Sequence, residues 1–290
     1  MPSYSLIICT YNRSSFLKET IESIWGCFGI RYTYEILVID NNSTDATAAV
    51  VEGFKHLPVF TYIKELKQGL SHARNRGIKE AKYDILVFLD DDIDIHEGYL
   101  DRCEQLFTDQ DVQIVGGKVL PHRVEVPDWL SPKYYYLVSI FDKGDALIRT
   151  EKLMGANYAM RQKAALIIGW YDPKLGRKGN NLAGGEEIDY LNRARSLNYT
   201  IWYDPSLIVY HKINNKLNRE YVFGYARQLG NSERIIDLQQ SKLKYVLKIG
   251  KAFLMLFAYG VYGFYAPDPK QRTYFKINQL YSLGYLGGTS

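Results

Sequence analysis

Three consecutive aspartates, Asp90-Asp91-Asp92, follow directly on the apolar run Ile85-Leu86-Val87-Phe88-Leu89. Carboxylates crowded in this way repel one another, and a divalent cation relieves the repulsion. Their hard oxygens suit Mg2+ or Mn2+, ions that usually bridge protein to substrate phosphates. A solvated acidic loop has the same composition, so position has to decide. The apolar run reads as a buried strand of a mostly parallel sheet. Open α/β sheets bind ligands beyond the carboxyl ends of such strands, where the triplet stands. The chemistry this suggests is a metal ion holding a diphosphate.

The elements around the triplet support that placement. Strand signals at Ser5–Cys9, Glu35–Ile39, Val59–Ile63, Ile85–Leu89 and Gln113–Val115 alternate with helix signals. The helices are expected at Ser14–Trp25, Thr44–Phe54, Leu70–Ala81 and Glu97–Phe107. Such alternation means βαβ crossovers and a parallel sheet covered on both faces. Ser14 and Ser43 or Thr44 are the expected N-caps. From about Pro121 to Thr150 the pattern breaks into a turn-rich connection that carries Tyr134, Tyr135 and Tyr136. Regular signals return with a strand at Asn157–Met160 and helices at Arg161–Ile168 and Glu186–Ser196. Strands Ile201–Tyr203 and Leu207–Tyr210 are expected to flank an Asp204-Pro205 turn, and Gly176–Gly185 reads as a mobile loop.

Composition bounds the class. The chain has 290 residues, 47% hydrophobic and 23% charged, which is the make-up of a folded globular protein rather than a disordered one. Cys9, Cys27 and Cys103 have no metal-site spacing and are odd in number, so a reducing compartment is expected. The chain runs almost at once into its first strand, which predicts no secretory signal and a cytoplasmic location. Charge is unevenly spread. Met1–His211 holds 24 Lys/Arg against 28 Asp/Glu, whereas Lys212–Ser290 holds 12 against 4. The basic, aromatic tail reads as two helices, Glu220–Gln239 and Leu243–Ala266. Lys242, Lys244, Lys248 and Lys251 lead into the second, whose uncharged stretch is shorter than the roughly 20 residues of a membrane span. An apolar face beside these lysines reads as peripheral contact with an anionic membrane face, or as packing surface. No nucleic-acid recognition motif accompanies the charge.

Several blocks, in order, carry a more specific message. They are Ser5-Leu6-Ile7-Ile8-Cys9-Thr10-Tyr11-Asn12-Arg13, Val38-Ile39-Asp40-Asn41-Asn42-Ser43, Gly69-Leu70-Ser71-His72-Ala73-Arg74, the aspartate triplet, Gly184-Gly185-Glu186-Glu187 and Tyr203–His211. In this order the chain resembles the family 2 glycosyltransferases from about Tyr4 to His211. The resemblance implies a GT-A fold, an α/β, Rossmann-like, mostly parallel sheet flanked by helices, with a C-terminal helical extension. Its expected domains are 1–215, with a nucleotide-binding half to 120 and an acceptor half after it, and the extension 216–290.

The resemblance also implies roles. Thr10, Tyr11 and Arg13 would border the nucleotide, and Asp40 would accept a base N–H such as the imide of uracil. Arg74 would face the diphosphate. Asp90 and Asp91 would share nucleotide contact, while Asp92, with Asp90 and His211, would ligate Mn2+ or Mg2+. Glu187 would be the catalytic base with Glu186 beside it, although the family commonly has aspartate where Glu187 stands. Trp170, Tyr171 and Asp172 would shape the donor-sugar and acceptor pocket. The activity implied is inverting transfer from a nucleotide-diphosphate sugar, UDP-linked, to a glycan, polysaccharide or lipid-linked acceptor. A nucleotidyltransferase and a non-catalytic assembly subunit are the competing readings.

Overall fold

The computed structural model describes residues 2–179 and 181–287; Asn180, within the loop expected at Gly176–Gly185, lies outside the described residues. The chain divides into two compact units. One comprises residues 1–123, 139–173 and 186–212, the other residues 124–138, 174–185 and 213–290. The expected boundary at 215 lies close to the one at 212/213, while two segments assigned by sequence to the acceptor half cluster with the tail.

The first unit is built on a sheet. Strands β1 (Tyr4–Thr10), β2 (Tyr34–Asp40), β3 (Phe60–Lys64) and β4 (Ile85–Asp90) run parallel in the order β3-β2-β1-β4. Helices α1 (Ser14–Phe28), α2 (Thr47–Glu52) and α3 (Leu70–Glu80) connect them. Every residue of β2 is buried, Glu35 and Asp40 included, and its central run Ile36–Ile39 is that of a strand covered on both faces. Alternate side chains feed two cores: Leu6, Ile8, Ile36, Val38 and Val87 on one side, Ile7, Leu37, Ile39, Leu86 and Phe88 on the other. At Gly77 a Cβ would lie 2.4 Å from Ile7 Cγ2, so glycine lets α3 sit close on the sheet.

Beyond β4 the sheet becomes mixed. It adds β5 (Ile93–Ile95), β6 (Ile114–Pro121), β7 (Ile148–Arg149), β8 (Asn157–Arg161) and β9 (Ile201–His211), with α4 (Tyr99–Thr108), α5 (Gln162–Ile168) and α6 (Glu186–Ser196). The order is β4-β8-β6-β9-β5, with β8 antiparallel to both neighbours, β9 parallel to β6, and β5 and β7 antiparallel to β9.

Two local expectations are corrected. No turn occurs at Asp204-Pro205; β9 continues through it by a bulge. Gly117 pairs with Asp204, but Lys118 pairs with Ile208. The bulge takes Pro205, which has no N–H to give, out of the ladder. A Cβ on Gly117 would lie 1.9 Å from Leu207 O, so the bulge needs glycine opposite it. Nor do Ser14, Ser43 or Thr44 cap their own helices. The Ser14 N–H donates to Asp45 Oδ2 at 3.0 Å, and Asp45 Oδ1 takes Thr47 N at 3.0 Å, so one carboxylate serves both helix starts. Asn12, with φ 53°, fixes that loop by accepting from Thr44 N at 2.7 Å.

The second unit is helical: α7 (Arg219–Gln240), α8 (Lys242–Tyr265) and α9 (Pro269–Tyr285). Helices α7 and α9 cross at Gly230 and Gly284, where a Cβ would lie 2.1 Å from Tyr281 O and 1.9 Å from Arg227 O respectively. Asp237 is fully buried and binds Lys244 and Lys248 at 2.8 and 2.7 Å and the Tyr285 hydroxyl at 3.0 Å. Lys248 also pairs with Glu233. Two of the four lysines expected to face an anionic surface are therefore neutralised inside the unit. Among the described residues of α8 only Ala252 is buried, while Leu243, Leu254, Phe257 and Phe264 are each more than two-thirds exposed. By length and composition alone this 24-residue helix is able to cross a membrane.

Candidate active site

Parallel register assembles the site. Thr10 lies opposite Asp40 on β2, and Cys9 opposite Asp90 on β4, so three strands end side by side. The chain then turns through Asp91 and Asp92 into β5, whose Ile93 pairs with His211 of β9. Thr20 of α1 fixes this turn by donating to Asp91 O at 2.9 Å and accepting from Ile93 N at 3.1 Å. His211 Nε2 thereby reaches Asp92 Oδ1 at 2.6 Å and Asp90 Oδ2 at 3.7 Å. Asp92 and His211 are fully buried, whereas the Asp90 side chain is one-third exposed. Ligand atoms of Asp90, Asp92 and His211 lie within 4.8 Å of one another and could hold a metal ion. Two carboxylate oxygens and one imidazole nitrogen fit Mn2+ or Mg2+, with the open Asp90 side as the approach.

An arginine lies against the same carboxylates. Arg13 Nη1 contacts Asp91 Oδ1 at 2.8 Å, and Arg13 Nη2 contacts Asp92 Oδ2. Asp91 also accepts from Thr10 Oγ1 at 2.7 Å. Burial pushes the Asp91 carboxyl up to about 6, against the lowering pull of Arg13. Thus Thr10, Arg13, Asp91 and Asp92 form one connected network. Asp40 is buried nearby, accepting from Ser43 N at 2.8 Å and the Tyr62 hydroxyl at 2.7 Å. Tyr11 is half-buried beyond the end of β1.

A second acidic group stands at the start of α6. Arg74, on α3 and only 3% exposed, donates to Glu186 Oε1 at 2.7 Å and to Glu187 Oε1 at 3.0 Å. The resemblance implied a diphosphate contact for Arg74; here its charge is committed to two glutamates. Its guanidinium lies 5.6 Å from the centre of the Tyr171 ring, which stacks on Tyr190 at 4.1 Å. The two glutamates part in ionisation. Burial, reinforced by the charge of Glu187, raises Glu186 to about 8. Burial presses Glu187 upward, but Arg74, a backbone hydrogen bond and Glu186 together more than offset it and hold Glu187 below the usual range. Glu187 is therefore the ionised one at neutral pH, and its side chain is 23% exposed against 3% for Glu186.

The aromatic turn is mixed in its placement. Tyr171 is enclosed, its hydroxyl paired with that of Tyr158, so it supports Arg74 from beneath. Asn75 clamps the turn through two bonds to the Tyr171 backbone, at 2.9 and 2.8 Å. Trp170 is 53% exposed, and Asp172 follows it at the surface edge. Gly155 escaped the sequence reading. A Cβ there would lie 1.9 Å from Glu187 Oε1 and 2.5 Å from Arg74 Nη2, so the glycine gives the ion pair its room. Its one sequence signal is a glycine just before a strand.

Residues 5–166, more than half of the chain, match the family described as Glycosyl transferase family 2. The chain belongs to this family. The nucleotidyltransferase reading ends there. Among relatives of this family 2 glycosyltransferase, the glucosyl-dolichyl phosphate glucuronosyltransferase of Haloferax volcanii is 24% identical over 247 residues, covering 81% of this chain and 77% of the relative. A mannosyltransferase from Pyrobaculum calidifontis, solved with GDP-Man and Mn2+, matches with TM-score 0.67 at 17% identity, over 99% of this chain and 87% of that one. GalNAc-T7, solved with UDP, GalNAc and Mn2+, matches with TM-score 0.59 at 18% identity, over 79% of this chain and 48% of that one. These likenesses establish the GT-A fold expected from the sequence.

Proposed function

We propose that this chain is an inverting glycosyltransferase that moves a sugar from a UDP-linked donor to a hydroxyl of a lipid-linked or polysaccharide glycan at a membrane surface. The observation that carries it is the pairing of an acidic, metal-fitting cluster with a separate glutamate kept ionised by a buried arginine. Glu187 takes the proton of the acceptor hydroxyl, and the oxygen attacks the anomeric carbon from the face opposite the diphosphate. The bond to the diphosphate breaks, UDP leaves, and the anomeric configuration inverts. Gly155 and Arg74 hold the Glu187 carboxylate in one place. Glu186, kept protonated, adds no second negative charge beside it at neutral pH. Asp40 would accept the imide N–H of uracil, with Thr10 and Tyr11 bordering the nucleotide. Asp90, Asp92 and His211 would hold Mn2+ or Mg2+, which supplies countercharge to the leaving diphosphate when bound. The dolichyl phosphate named for the Haloferax relative supports a lipid-linked acceptor. Calorimetry across a panel of nucleotide sugars, with and without Mn2+, tests the donor, and a transfer assay tests the products. Mn2+-dependent binding and release of UDP are expected. Release of pyrophosphate, or failure to turn over any donor with or without acceptor, overturns the reading.

A further inference from the structure

The helical unit contains a groove of 510 Å³ lined by the first turns of α7, the last turns of α8 and the first half of α9. Arg219, Arg272 and Lys276 line it together with Phe223, Tyr259 and Phe264, and no aspartate or glutamate is among its lining residues. Arg219 lies 5.5 Å from the centre of the Trp129 ring, and Arg272 Nε donates to Ala266 O at 2.7 Å. Lys276 Nζ donates to Gln279 Oε1 at 3.2 Å. Among the described residues none of the three cations pairs with a carboxylate. Asp268, next in sequence to the groove, caps α9 through Gln271 N at 3.2 Å. The lysines at the other end of α8 differ, because Lys244 and Lys248 are held by Asp237 and Glu233. The groove therefore gathers three positive charges with no acid among its lining residues. The N-terminal ends of α7 and α9 add to it, and the C-terminal end of α8 takes some of it back.

Alongside runs an apolar stripe. Leu243, Leu247, Leu254, Phe257, Val261 and Phe264 recur at helical spacing along α8, and all are exposed. Phe264, at 81% exposure, belongs to both stripe and groove. Apolar side chains beside unpaired arginines match an amphiphile with an anionic head. Guanidinium groups bind phosphate through two parallel bonds, and their stems can lie along apolar surface with the charge at headgroup level.

We propose that α8 lies in the surface of an anionic membrane leaflet and that the Arg219–Arg272–Lys276 groove seats the phosphate of an acidic phospholipid. The proposal rests on the membrane-side reading of the acceptor above, and its test is separate from the chemistry. Full-length protein is floated with phosphatidylcholine vesicles, with and without phosphatidylglycerol. Binding is expected only with phosphatidylglycerol. The triple variant Arg219→Gln, Arg272→Gln, Lys276→Gln is expected to bind about 100-fold more weakly, at about tenfold or less per lost charge. The matched variant Lys18→Gln, Lys55→Gln, Lys79→Gln removes as much charge from the sheet-based unit and is expected to bind as wild type. Circular dichroism checks the fold of both. Equal binding to both vesicle types, wild-type binding by the groove variant, or equal loss in the two variants overturns the proposal. So does a groove that responds only to inorganic phosphate, or one whose loss only abolishes self-association on sizing. UDP and Mn2+ calorimetry on the groove variant is expected to be unchanged; a failure of the wild type there would strike the proposed chemistry and leave the docking result standing.

Discussion

The sheet-based unit holds two acidic clusters, each with its own arginine, and they differ in how far the arginine can be replaced. Arg13 is 27% exposed and lies across Asp91 and Asp92, with the partly open Asp90 next to it. Arg74 is 3% exposed and sealed between α3, α6 and Gly155. Each lies against a carboxylate that burial pushes toward protonation, Arg13 against Asp91 and Arg74 against Glu187. The first sits where an incoming cation can take over its charge. The second is fixed, so its charge serves to set the ionisation of Glu187. On the proposed reading, one cluster would be a place of exchange and the other a preset.

Breaking the fixed cluster has the largest effects. Glu187→Gln is expected to retain Mn2+-dependent donor binding and to lose transfer by about 10²–10⁴-fold, the usual worth of a positioned base; normal turnover would remove Glu187 from the chemistry. Arg74→Met leaves buried carboxylate charge without a partner and is expected to lose about 3–5 kcal/mol in urea unfolding. Adding Mn2+ should not restore it. At the exchanging cluster, Asp92→Asn is expected to weaken Mn2+-dependent UDP binding by more than about 100-fold, beyond what loss of an outer partner causes. Arg13→Gln is expected to cost only about 1–2 kcal/mol, less than a sealed pair because solvent screens it. Here added Mn2+ should recover the melting temperature. If Mn2+ rescues Arg74→Met as well, the contrast between the clusters is wrong.

A further effect is on pH. Glu186 is raised to about 8 in the folded chain, so between about 4.5 and 8 the native state binds more protons than the unfolded one. Its contribution to stability is whole below that window and declines as pH rises through it. Glu186→Gln should flatten this decline in thermal melts recorded across the window. A wild-type curve already flat there would mean that Glu186 ionises normally.

Much of this arrangement is legible in the chain. The apolar runs of β1, β2 and β4 declare themselves as buried strands, and α6 begins and ends where its acids and periodicity put it. Runs of that kind place Asp40 and Asp90 at strand ends without further information. The partners of the charged groups are less legible, because they depend on side chains meeting across elements distant in sequence. Nothing local distinguishes the duty of Arg13 from that of Arg74. Strand β5 has three residues and an aspartate in the middle, too short for an alternation signal, yet it is what brings His211 to Asp92. Helix α9 is polar and was missed although Asp268 and Pro269 mark its start. The sequence sets the lysines of α8 beside an apolar face; only the fold reveals that Asp237 claims two of them.

The bulge in β9 has a consequence for how this family member tolerates change. In an unbroken ladder continuing from Gly117 and Asp204, Lys118 would meet Pro205; it meets Ile208 instead. The slack stored in that kink sets the phase of everything downstream. A deletion that drew the far half of the strand back by one step would move His211 into the outward place of Tyr210 and bring Lys212 to the place of His211, since neighbours on a strand face opposite ways. Length at Pro205–Leu207, far along the chain from the aspartates, therefore works as a ratchet on whether an imidazole or an ammonium meets them.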